Sequence, residues 1–280
     1  MQVGELYRHI RSRFRHAGLS TPDLDAKYLV GVAIGFSVSD IILRENDPVD
    51  AGGVSRANDF CEKRLAGMPV GRILGEREFY GRRFELNAAT LEPRPDTEIL
   101  IDAVLDRADG SRPLWMCDIG TGTGAIAVTL LAEIPKSQII AVDISEQALL
   151  CASGNADLNG VKDRFFPVVA DYGSVFRKGI DWIVSNPPYI RTAVLKELSQ
   201  EVTQHDPAIA LDGGADGLKA YERIITEAER ILSTGGQIAL EIGYDQAGDV
   251  KKQLRHHSFG AIEIIKDLTT NDRVVVAERI

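Results

Sequence analysis

Four consecutive residues, Asn186-Pro187-Pro188-Tyr189, are the ones best suited to chemistry, and they directly follow the apolar run Asp181-Trp182-Ile183-Val184-Ser185. Prolines 187 and 188 fix two φ angles and remove two N–H donors, which leaves the Pro187 carbonyl as a rigid acceptor; the side-chain oxygen of Asn186 can aim beside it. Two acceptors held in this way match the two hydrogens of one planar –NH2 group, either an amide or an exocyclic base amine. Such a nitrogen has a delocalised lone pair and is a weak nucleophile. Hydrogen bonds to both hydrogens, with Tyr189 packed on the flat group, orient it toward an electrophilic carbon and ease its departure from planarity as the bond forms.

A second constellation, Asp118-Ile119-Gly120-Thr121-Gly122-Thr123-Gly124, joins an apolar run to a helical pattern, the context of a nucleotide-binding turn. Positions without side chains let the backbone approach a ligand, and the free N–H groups of the following helix favour electron-rich atoms. Asp143 lies 19 residues past Gly124, where a carboxylate accepts both hydroxyls of an adenosyl ribose. Gly120-x-Gly122-x-x-Ala125 also satisfies the dinucleotide fingerprint, so the loop alone does not choose a cofactor. Asp118 tilts the choice, because a carboxylate there suits the ammonium of S-adenosylmethionine and repels a pyrophosphate.

Both constellations need strand ends to present them. Apolar runs at 114–119, 138–144, 165–170, 181–185 and 236–243 alternate with helical patterns at 124–134, 145–158 and 217–232, the signature of a parallel, doubly wound α/β sheet. A helix at about 245–257 and two runs at 261–266 and 273–278 then predict an antiparallel finish. Ahead of this domain, residues 1–70 read as helices at 3–17, 22–34, 39–45 and 54–66, ended by Gly18, Gly35 and Gly67, with Thr21 capping before Pro22. Residues 71–92, with strand-like pieces at 72–74, 78–80 and 83–86, read as a hairpin linker, and Asp96 or Thr97 is placed to cap a helix from Ile99. The expected domains are therefore 1–70, 71–92 and 93–280.

Composition narrows the partners. Among 280 residues, 32 Lys and Arg against 41 Asp and Glu give a net charge of −9, which disfavours non-specific nucleic-acid binding. Three widely spaced cysteines suit reduced thiols in the cytoplasm and present no zinc spacing. No apolar run reaches the ~18 residues of a spanning helix, and the Arg-rich start reads as an amphipathic helix rather than a targeting segment. His256 and His257 point to different helix faces, which argues against a metal site; His205 is not needed as an early base; Trp182 reads as sheet core. Arg94 and Glu98 either lock the domains together or line a substrate groove.

These residues resemble the HemK-type N5-glutamine methyltransferases. The resemblance rests on Gly75-x-x-Glu78-Phe79 with Gly81, Pro93-Arg94-Pro95-Asp96-Thr97-Glu98, Asp118 to Gly124, Asp143, Val184 to Ile190, Pro207-x-x-Ala210-Leu211-x-Gly213-Gly214, Leu240-Glu241-Ile242-Gly243 and Asp272 to Val275. It implies a seven-stranded Rossmann-like methyltransferase domain, mostly parallel with an antiparallel C-terminal strand, behind a small N-terminal helical domain that recognises substrate. It further implies that Gly120, Thr121, Gly122, Thr123, Gly124 and Asp143 hold S-adenosylmethionine, with Asp171 and Tyr172 against the adenine. Asn186 would touch donor and glutamine, while Pro187, Pro188 and Tyr189 complete the glutamine pocket. The implied reaction converts S-adenosylmethionine to S-adenosylhomocysteine without a metal, methylating the glutamine of the Gly-Gly-Gln loop in class I peptide chain release factors. The implied enzyme is a cytoplasmic monomer without stable nucleic-acid or membrane binding. Two rivals stand beside this reading: a nucleic-acid adenine-N6 methyltransferase using the same Asn-Pro-Pro-Tyr turn, and a dinucleotide-dependent oxidoreductase or non-catalytic nucleotide-binding module.

Overall fold

The computed structural model describes residues 1–173 and 178–280, which divide into two compact units, Met1–Gly75 and Glu76–Ile280. The first unit is helical: α1 (Val3–His16), α2 (Pro22–Ile34), α3 (Asp40–Leu43), α4 (Ala51–Leu65) and α5 (Val70–Leu74). Val3, Leu6, Ile10 and Phe14 recur at helical spacing on α1 and are buried against Ala26, Leu29 and Val30 of α2 and Ala57 and Cys61 of α4. A buried ion pair, Arg64 Nε to Asp25 Oδ2 at 2.8 Å, lies in the same core. Thr21 occupies the N-cap position of α2 without capping it; its hydroxyl donates to Asp25 instead, at 2.7 Å. Arg72 to Leu74, expected as a strand-like piece, lie in α5, because Pro69 opens a helical turn there and Gly75 closes it at φ +74°.

The second unit begins with the hairpin β1 (Glu76–Phe79) and β2 (Arg82–Glu85). Tyr80 and Gly81, both at positive φ (51° and 68°), form its two-residue turn. Then follow α6 (Glu98–Leu105), β3 (Leu114–Ile119), α7 (Ala125–Glu133), β4 (Ser137–Asp143), α8 (Glu146–Leu158), β5 (Phe165–Val169), β6 (Ile180–Ser185), α9 (Gln200–His205), α10 (Lys219–Ile231), β7 (Leu232–Glu241), α11 (Ala247–His256), β8 (Phe259–Lys266) and β9 (Asp272–Arg279). Seven strands lie in the order β5-β4-β3-β6-β7-β9-β8. The pairs from β5 to β7 are parallel, and β9 runs antiparallel to both β7 and β8. One core packs α6 and α7 against the sheet, the other α10 and α11, and Trp182 is core, 4% exposed.

This order matters for function. The chain moves outward from β3 to β4 and β5, then returns to place β6 on the other side of β3. Ligands of open α/β sheets bind at such a reversal, beyond the carboxyl ends of the strands. Asp118 lies at the end of one of the two flanking strands and Asn186 follows the other. The Ser185 hydroxyl donates to the Ile119 carbonyl at 2.6 Å, tying those two ends together.

Candidate active site

A cavity of about 400 Å³ opens at this reversal. It is lined by Gly120, Thr121, Gly122 and Thr123 of the turn after β3, by Asp143, Asp171 and Tyr172 at the ends of β4 and β5, and by Asn186, Pro187 and Pro188 after β6. Three expected residues are not among its lining: Asp118, Gly124 and Tyr189.

The glycine turn follows from backbone needs. Gly120, Gly122 and Gly124 all adopt positive φ (74°, 55° and 79°), a region that L side chains enter at a cost. A Cβ on Gly120 or Gly122 would meet open space, so those two hydrogens leave room for a ligand; one on Gly124 would sit 3.1 Å from Cβ of Ala152, so that glycine serves helix packing. The N–H groups of Gly120 and Thr121 donate to the Val142 carbonyl and that of Gly122 to Asp143 Oδ2. These three amides are thus engaged by β4, which holds the turn from the neighbouring strand. Asp143 accepts a second amide, from Ser145 at 2.9 Å, which fixes its carboxylate at the cavity wall with lone pairs remaining for ribose hydroxyls.

Asp118 is fully buried; Oδ2 accepts from the Thr121 hydroxyl at 2.7 Å, and Oδ1 has no full hydrogen bond among the described residues. Burial pushes its carboxyl up to about 7, the Asp143 charge adds to this, and the Thr121 hydroxyl and Ala127 amide oppose it. Asp118 is thus a buried carboxylate short of a donor, next to glycines that leave open space, although it does not itself line the cavity.

At the far wall Tyr172 adopts φ +56°, uncommon for a bulky residue. The Arg223 guanidinium lies 5.1 Å from its ring centroid and pairs with Asp171 at 2.9 Å. Half-burial raises the Tyr172 phenol, and Asp171 adds to that.

The Asn186 turn is braced from behind. Gln246 donates Nε2 to the carbonyls of Tyr189 and Gly217, and Gly213 N–H donates to the Ile190 carbonyl. A Cβ on Gly213 would fall 2.9 Å from the Pro188 carbonyl oxygen, so only glycine permits this approach. The Tyr189 ring, expected over the planar group, sends its hydroxyl inward instead, donating to Glu241 Oε1 at 3.2 Å. Glu241 also accepts from the Thr97 hydroxyl at 2.6 Å, and Thr97 in turn accepts from Asn186 Nδ2 at 3.1 Å. Thr97 therefore does not cap α6 through its side chain. Glu241, 1% exposed, is held up to about 7 by burial.

Glu241 was open to discovery in the sequence as a lone acid between Leu240 and Ile242; Gln246 carried no comparable signal. Arg94 lines the cavity and pairs with Asp206 at 2.6 Å, while Glu98 accepts from the Tyr80 amide of the hairpin at 2.8 Å. His205 is not among the lining residues. Among the described residues no group of three or more His, Cys, Asp and Glu is placed to hold a metal ion, and no helix is long and apolar enough to cross a membrane.

Comparison with known proteins identifies the family. The family described as PrmC N-terminal domain matches residues 5–75, and the methyltransferase small domain matches 95–214. The release factor glutamine methyltransferase of Agrobacterium fabrum is 42% identical over 276 residues, covering 96% of this chain and 94% of the relative. That of Bradyrhizobium diazoefficiens is 41% identical over 250 residues, covering 88% and 84%. Among solved structures, the hMettl16 catalytic domain in complex with the MAT2A 3′UTR hairpin 6 superposes with a TM-score of 0.59 at 17% identity, covering 73% of this chain and 78% of the other, a likeness of fold.

Proposed function

Because the chain belongs to the family of release factor glutamine methyltransferases, we propose that it methylates the side-chain amide nitrogen of a release-factor glutamine, with S-adenosylmethionine as donor. The observation that carries this reading is the Asn186-Pro187-Pro188 turn facing one cavity with the glycine turn and Asp143. Gly120 to Thr123 receive the donor, Asp143 its ribose, Asp171 and Tyr172 its adenine, and Asp118 its ammonium; Gly124 fixes α7 behind them. Asn186 Oδ1 and the Pro187 carbonyl accept the two amide hydrogens of the glutamine, with Pro188 completing the pocket wall and Tyr189 supporting it through Glu241.

When bound, the donor supplies a sulfonium methyl: the amide nitrogen forms the new N–C bond, the C–S pair returns to sulfur, and one N–H proton then leaves to water. The residues here supply orientation and two fixed acceptors, which strengthen as positive charge develops on the nitrogen. No early base is required. The finer reading is that the glutamine is that of the Gly-Gly-Gln loop of class I factors, taken by a monomeric, cytoplasmic enzyme.

Mass spectrometry of tryptic peptides from a purified release factor, incubated with enzyme and donor, tests this directly. A single methyl on the Gly-Gly-Gln glutamine is expected. Labelling of DNA or RNA alone would instead support the adenine methyltransferase. An Asn186→Ala variant is expected to keep donor affinity within about threefold and to lose kcat by about 100-fold or more; unchanged turnover would remove the acceptor role.

A further inference from the structure

An asparagine amide presents an acceptor at one end and a donor at the other, and the two ends are nearly identical in shape. A glutamine amide entering the cavity offers two hydrogens. Asn186 serves it only if Oδ1, not Nδ2, faces the cavity.

The direction of the hydrogen bonds behind Asn186 settles which end that is. Glu241 closes β7, the strand next to β6, and as a carboxylate it accepts only. It therefore takes the protons of both Tyr189 Oη, at 3.2 Å, and Thr97 Oγ1, at 2.6 Å. With its one proton committed to Glu241, Thr97 has only lone pairs left for Asn186. It accepts from Nδ2 at 3.1 Å, and Oδ1 is left for the cavity. We infer that Glu241, acting through the Thr97 hydroxyl, fixes the amide of Asn186 with its oxygen toward the substrate, and so is a positioning residue for methyl transfer. The inference rests on the acceptor role of Asn186 argued above.

The same chain of bonds runs backwards when Glu241 gains a proton. A carboxylic acid donating to Thr97 Oγ1 turns the threonine proton toward Asn186, which then presents Oδ1 to Thr97 and Nδ2 to the cavity. A donor now meets the two donors of the substrate amide. The groups that set this equilibrium are on every side of the carboxyl. Tyr189 faces it from the turn, Asp96 from the segment before α6, and Arg273 from β9, while Tyr221 of α10 donates to the Glu241 backbone carbonyl at 3.1 Å. Arg273 is itself paired with Asp96 at 3.2 Å and Asp267 at 3.0 Å. Burial outweighs the help from Thr97, Arg273 and Tyr189 and brings the proton on at about 7, so the reversal falls within the working range of pH.

The test compares kcat and both KM values for wild type, Thr97→Val, Thr97→Ser and Glu241→Gln on a release factor between pH 6 and 9. Thr97→Val removes the relay at constant shape and is expected to lower kcat by about 10- to 100-fold, with donor KM within about twofold. Thr97→Ser restores most of the loss. Wild-type kcat is expected to fall as pH drops through about 7, and Glu241→Gln, which cannot titrate there, to lose that inflection. Titration of Asp118 is separable, since it appears in donor KM and persists in Glu241→Gln.

A Thr97→Val enzyme with kcat within about twofold of wild type would overturn the inference, as would an unchanged kcat inflection in Glu241→Gln. Should Thr97→Val fail to fold, the pH profiles of wild type and Glu241→Gln decide alone. Loss of turnover in Asn186→Ala beside full turnover in Thr97→Val sinks only the role of Glu241, whereas full turnover in Asn186→Ala sinks the acceptor reading itself.

Discussion

Replacing Asp118 by Asn should make the stability of the second unit less sensitive to pH and should remove a proton from donor binding. The carboxyl of Asp118 holds its proton up to about 7 rather than the usual 3.8, chiefly through burial. Between those values the folded state binds more protons than the unfolded one, so this group's contribution falls as pH rises through the window and is at its most unfavourable above about 7. At about 1.36 kcal/mol per pH unit, the difference between pH 4 and pH 8 is at most ~4 kcal/mol, and ~2 kcal/mol after relaxation around the buried charge. The amide has the shape of the carboxyl it replaces and does not titrate, so the comparison isolates a single proton. It leaves an Nδ2 where Oδ1 lacked a full bond, but that offset is independent of pH and cancels in the difference. Urea unfolding at pH 4, 6 and 8 measures it: relative to wild type, the variant should gain ~2 kcal/mol between pH 4 and pH 8. Donor binding supplies the second readout. A donor ammonium reaching Asp118 favours the ionised carboxylate, so calorimetry near pH 7 in buffers of different ionisation enthalpy should show proton release for wild type and none for the variant. A stability difference that does not vary with pH would refute the ionisation argument, and equal proton release in both proteins would refute the ammonium contact.

Two substitutions test the supports around this site and in the other unit. Gly124→Ala puts a Cβ 3.1 Å from Ala152 at φ +79°; it should destabilise the second unit by about 1–3 kcal/mol in denaturant unfolding and raise donor KM, whereas a variant as stable as wild type would show that α7 and α8 yield freely. Asp25→Ala removes the carboxylate of the buried Asp25–Arg64 ion pair and should cost about 3–5 kcal/mol in the helical unit, seen as earlier loss of hydrogen-exchange protection in α2 and α4 with β3 and β6 unchanged.

Features whose physics is local were legible in the sequence. The strand of residues 114–119 coincides with β3, and the glycine turn and Asp143 follow from spacing within one β-α-β unit. The Asn-Pro-Pro turn is similarly self-contained, since two prolines fix their own φ. What resisted reading depends on distant partners. Thr97 has the composition of a cap, yet its hydroxyl finds Glu241, 144 residues away. Tyr189 reads as a platform for a flat substrate, yet its hydroxyl finds the same buried carboxylate, and the residue is not among the cavity lining. Strand β7 begins at Leu232, ahead of the expected 236, because Gly235 and Gly236 resemble a terminator. In the sheet they accommodate a register shift opposite Ile180 and Trp182, with Gly235 at φ +78°.

One physical pattern connects these departures with the chemistry. Asp118 and Glu241 are both carboxyls buried near strand ends, behind residues that line a single cavity, and both carry the cost of desolvation, with protons held up to about 7. A fold selected for stability alone would replace each by an apolar or amide residue of similar volume. Their surroundings differ in a way that assigns them different tasks. Asp118 lacks a full bond on one oxygen, so its charge is best satisfied by a cation arriving with the donor. Glu241 has hydroxyl donors on both oxygens, and its charge is directed toward ordering those hydroxyls and, through them, the amide of Asn186. Protonation should therefore weaken donor binding through the first group and turnover through the second. Acidification below about 7 then acts on KM and kcat by separate routes, each removable by one substitution without removing the other.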